Sequence, residues 1–150
     1  SDAEGLCNLT AKVWYNAIYK ERDSITDKFT LKNKGTGYTI WVDDFNEALS
    51  NLYADSSTKS TIEDIESNQA FVKDLMKEFQ NLPEELEKCY DTVTELYTAY
   101  KGLTDLAINP TGNLTSFSES KSTKVGKFME LFDKLGNQIP EKFETDSDNK

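Results

Sequence analysis

Apolar residues recur every three or four positions in five separate runs of this chain. That spacing marks helices with one buried face. The first run, from Leu6 to about Arg22, sets Leu6, Leu9, Val13 and Ala17 on one side, widened by Cys7, Trp14 and Ile18. A shorter run, "FNEALSNLYA", follows Asp43 or Asp44, either of which suits an N-cap. "DSSTKS" then reads as a break, with a longer helix from about Ser60 to Asn81.

Pro83 fits the first turn of the next helix, which carries Leu86, Tyr90, Val93, Leu96, Tyr97, Tyr100 and Leu103 and stops at Pro110. The last run begins near Leu114 and continues through Phe117, Phe128 and Leu135 to about Pro140. Its opening, "SESKSTKVG", is polar and contains Gly, so a kinked or frayed start is expected. Residues 23–42 break the helical spacing. Enrichment in Thr, Ile, Tyr and Val around Gly35-Thr36-Gly37 suggests a small β-hairpin or an ordered loop at 25–42.

The two best runs predict helices of about 22–25 residues, roughly 35 Å long. The short connector between them makes them antiparallel. The fold class expected is therefore all-α: an antiparallel up-and-down bundle of about four main helices plus a short one. One domain over 1–143 and a disordered acidic tail at 144–150 complete the expectation.

Charge and composition narrow the chemistry. The chain has 150 residues, a formal net charge of −10 and no His. Without His, the usual hydrolytic triads, Cys-His pairs and most zinc sites are excluded. The carboxylates at 42–44, 63–66 and 84–87 fit helix caps and surfaces better than a catalytic pair. No enzyme activity, cofactor or metal is therefore expected. The negative charge and a single Arg, Arg22, argue against nucleic-acid binding. No apolar run reaches the roughly 20 residues of a transmembrane helix.

Three groups remain as candidate sites. Cys7 and Cys89 could form a disulfide clipping the first helix to the bundle, worth roughly 4 kcal/mol, or stay as two free thiols. Tyr38, Ile40, Trp41 and Phe45 could form a partner-contact loop, or Trp41 and Phe45 could plug one end of the bundle. Tyr90, Tyr97 and Tyr100 could line a pocket between helices, or simply belong to the core. Two acceptor-type triplets, Asn8-Leu9-Thr10 and Asn113-Leu114-Thr115, would matter only in a glycosylating host.

"VWYNAIYK" at 13–20, "DFNEAL" at 44–49, "NQAFVKDLMKEFQNLPEE" at 68–85, "LYTAYKGLTDLAINPTGNLTSFS" at 96–118 and "KVGKFMELFDKL" at 124–135 occur in that order. Together they resemble a group of uncharacterised small exported or lipoprotein-like helical proteins of Gram-positive bacteria. The resemblance implies an extracellular or cell-surface location, with an export signal removed ahead of Ser1. It also implies a lipid anchor, if there is one, upstream of Ser1. "AEGL" before Cys7 departs from a lipobox, so Cys7 is not expected to carry the lipid. No activity comes with the resemblance. The function expected is binding or an envelope-structural role, with an unknown protein or cell-envelope component as partner. A small-ligand carrier with an aromatic-lined pocket is the alternative, and a cytosolic regulatory bundle a third reading.

Overall fold

In the computed structural model, which describes residues 1–33, 37–79 and 83–139, the chain is all-α. Its helices are α1 (Asp2–Tyr19), α2 (Asp27–Thr30), α3 (Phe45–Ala54), α4 (Ser56–Glu78), α5 (Glu87–Ile108) and α6 (Leu114–Gly136), with a 3-10 turn at Glu84–Leu86 ahead of α5. No described helix is long and apolar enough to cross a membrane. The tail expected at 144–150 lies outside the described residues.

Cap chemistry sets most boundaries. Asp44 accepts from the backbone N–H of Asn46 and Glu47 and starts α3. Asp55 accepts from the N–H of Ser57 and starts α4 four residues before the sequence suggested. The polar run "SSTKS" is therefore the first turn of α4 rather than a break, and Thr58 within it is buried.

A capping box between Asn113 and Ser116 starts α6. The helix then runs unbroken through the polar stretch, so the expected kink is absent. Phe117, fully buried, holds that first turn in the core. Gly112 precedes the box at φ +87°, and a Cβ there would collide with Ser116 Oγ. Position 112 thus needs glycine both for its backbone and for the cap.

The described residues between α2 and α3 form no regular strand. One antiparallel bridge joins Leu31 to Trp41, flanked by Lys32 N–H to Ile40 O at 2.8 Å and Val42 N–H to Thr30 O at 3.0 Å. Of the expected turn, Gly35-Thr36-Gly37, the first two residues lie outside the described residues.

α5 and α6 form the most extensive helix pairing, and α1 packs against both. The core centres on Trp14 of α1. Its ring stacks on Phe45 at 5.7 Å and meets Phe117 at 5.9 Å. Leu6, Cys7, Ile65, Leu103 and Ala107 continue this cluster, while Val13, Phe29, Val42 and Leu52 form a second one under the loop. A polar bridge crosses the core: Tyr53 Oη donates to Ala107 O at 2.7 Å and shares a 3.0 Å hydrogen bond with Thr10 Oγ1. Burial pushes the Tyr53 phenol up to about 12.

Phe117→Ala should cost about 3–5 kcal/mol in urea denaturation, because it removes a ring from the aromatic centre and leaves a cavity. The cap at Asp55 carries a pH signature. Hydrogen bonds from Ser57 and then Lys28 hold its carboxyl down at about 2, against an ordinary 3.8. Its stabilising effect is therefore complete above about pH 4 and lost as pH falls towards 2. Acid unfolding of Asp55→Asn should show a smaller loss of stability across that window than wild type.

Candidate functional site

The first turn of α1 ends midway along the three long helices. Below it lies a cavity of about 300 Å³, walled by Ile65 of α4, Tyr100 and Leu103 of α5, and Val125, Phe128 and Met129 of α6. Ser1, Asp2, Ala3 and Glu4 close one end, and Asn68 and Thr104 add polar atoms.

Hydrogen bonds fix these walls. Ser1 Oγ accepts from the Glu4 N–H and caps α1. Lys121 Nζ donates to Asn8 Oδ1 at 2.7 Å, tying α6 to α1. Gln69 Nε2 donates to Thr104 Oγ1 at 2.6 Å and Asp105 Oδ1 at 3.0 Å, tying α4 to α5 beside the cavity.

Beyond α1 the same walls open to solvent while staying apolar. Phe71 and Leu75 on α4 are 63% and 38% exposed, and Met129 and Phe132 on α6 are 50% and 57% exposed. Phe128 and Phe132 stack at 6.3 Å. Through Met129 and Phe128, which line it, the cavity borders this exposed apolar surface, and the two together make an apolar cleft. The cavity's size is at the lower bound for small-ligand sites, and a mostly apolar wall with a few polar atoms is their usual character.

Only part of the expected tyrosine lining is there. Tyr100 faces the cavity, and burial followed by the neighbouring Tyr97 raises its phenol above the ordinary value. Tyr97 is half-buried outside the lining, and Tyr90 is exposed.

The expected contact loop divides. Phe45 belongs to the aromatic centre. Trp41 is half-buried, with Lys20 Nζ 5.5 Å from its ring centroid. Tyr38 and Ile40 project outward at 84% and 51% exposure. The four side chains do not form one surface.

The Cys7–Cys89 bond is not made, and both residues are buried free thiols. Cys7 packs in the cluster that holds Leu103 and Ala107. Cys89 lies at the far end of α5, some 20 Å or more away along the helix axis, where its Sγ donates to Gln138 O at 3.7 Å. No disulfide spans such a gap. Burial pushes the Cys7 thiol up to about 11, so it is protonated and a poor nucleophile at neutral pH.

Neither acceptor triplet is open in the fold. Thr10 is fully buried, and the Asn113 side chain is occupied as the α6 cap. Among the described residues no group of three or more Cys, Asp or Glu is placed to hold a metal ion.

Sequence periodicity missed the cleft itself. Phe71 and Leu75 were its one legible sign, an apolar pair four residues apart on a strongly charged helix. Thiol titration after oxidative preparation should find two reactive thiols per chain in denaturant and almost none within minutes in native buffer. A total below two would contradict the placement of the cysteines.

No family model matches this chain, and no curated protein or solved structure matches it either.

Proposed function

We propose that this chain is a non-enzymatic binding protein, exported or held at the cell surface, and that the cleft between α4, α5 and α6 is its binding surface. The observation that carries this reading is an apolar cavity of about 300 Å³ bordered by exposed apolar side chains: Met129 lines it and is half exposed, and Phe128 in its wall stacks on exposed Phe132. Contiguous exposed apolar surface costs solubility and tends to mark contact sites.

The groups in the cleft favour binding over bond-making. Its walls offer no His, and the carboxylates that line its cavity, Asp2 and Glu4, sit at one end on the first turn of α1. The likeness to exported lipoprotein-like proteins supports the location. The two cysteines are free thiols and do not bear on the location. A small-ligand carrier is the second reading, favoured by the closed end of the cleft and by Tyr100 in its wall.

Titration with Nile red, a neutral apolar dye, tests the site. Wild type should enhance and blue-shift its emission. Met129→Asp should abolish the effect with unchanged circular dichroism, and Tyr38→Ser should keep it. No enhancement by wild type, or equal enhancement by Met129→Asp, would remove the cleft as the binding surface.

A further inference from the structure

We propose that the open end of the cleft takes an amphipathic helix of about three turns, with Lys or Arg flanking its apolar face. This rests on the reading of the cleft as the binding surface.

The groove between α4 and α6 already holds one helix along its other half, since α1 packs against both. On α4, Asp64, Asn68, Phe71, Leu75 and Glu78 follow steps of four and three and so share one stripe. Asn68 lines the cavity, which puts that stripe beside the cleft. On α6, Val125, Met129, Phe132 and Gly136 form the facing stripe, and the first two line the cavity. The stripes run on roughly 15 Å past the first turn of α1, the rise of about ten helical residues. They offer apolar side chains at the spacing a helix reads, beyond a cavity large enough for one anchoring side chain.

Charge selects the occupant. Asp64 and Glu78 flank the α4 stripe, Asp133 lies beside Met129, and Asp2 and Glu4 stand at the closed end. Among the described residues none of these five acids is in an ion pair. Lys121 continues the α6 stripe beyond Val125, at the end covered by α1, where it donates to Asn8; Lys73 and Lys77 of α4, and Lys127 and Lys134 of α6, fall roughly opposite the two stripes at about 100° per residue. The rim is therefore acidic, on a chain of net charge −10. A second copy would bring the same acids against it, and an acidic helix would be repelled. A basic amphipathic helix meets both the apolar floor and the charged edges.

Fluorescence anisotropy of labelled designed peptides on the full chain tests this. A Leu/Lys amphipathic peptide should bind at least tenfold more tightly than its Leu/Glu counterpart and than a Leu/Lys peptide of scrambled order. Raising salt from about 50 to about 500 mM should weaken it several-fold. The Asp64→Asn/Glu78→Gln/Asp133→Asn variant should lose about tenfold in peptide affinity while still binding Nile red.

Nile red binding without preference for the Leu/Lys peptide would overturn the helix partner and leave the cleft reading standing. Unchanged peptide affinity in Met129→Asp would overturn it too, as attraction to the acidic surface at large. A dimer by light scattering that Met129→Asp dissociates would assign the cleft to a second copy instead.

Discussion

Trp14 is held between two aromatic rings, Phe45 from α3 and Phe117 from α6. That one contact sets how deep α1 sits and where it lies along its neighbours. Aromatic pairs add specific geometry to their buried area, so they fix register better than aliphatic side chains alone. With Trp14 fixed, the 18 residues of α1 reach only part of the way along helices of 22 and 23 residues. The cavity at the first turn of α1 follows from this register together with the difference in length. Among the described residues, α1, α3 and the loop cover one end, and at the other α4, α5 and α6 leave apolar side chains exposed.

The helices were legible because a buried face repeats every three to four residues, and α3 to α6 carry such a face. Boundaries were legible where a cap is a single side chain, as at Asp44. They were less so where the first turn is polar. At Ser56 and along the start of α6, serines and threonines looked like loop, yet only one face of a helix must be apolar. Thr58 and Phe117 meet that need while their neighbours stay wet. The loop at 25–42 was only half legible. Among the described residues its β-like composition serves a single bridge, and Phe29 and Val42 belong to the second core cluster.

The site was less legible than the fold. A cavity belongs to the space between helices, and no periodicity within one helix reports it. Tyr90, Tyr97 and Tyr100 shared a spacing, yet the rotation of α5 turns only Tyr100 into the cleft. The 38–45 segment looked like one apolar patch because its residues are adjacent in sequence. The turn into α3 sends Phe45 inward and leaves Tyr38 outside. The cysteines could be counted but not placed, since pairing depends on where two helix ends lie in space.

The position of Trp14 also decides what the protein's own fluorescence can report. The chain has two tryptophans. Trp14 is 4% exposed in the aromatic centre, and Trp41 sits by Lys20 within the loop between α2 and α3. The cleft begins about 16 Å away, eleven residues back along α1. Intrinsic emission is therefore a sensitive gauge of the aromatic centre and a poor one for the open end. A titration that leaves the tryptophan spectrum flat says nothing against occupancy of the cleft, and one that changes it has disturbed the hub on which the fold is registered.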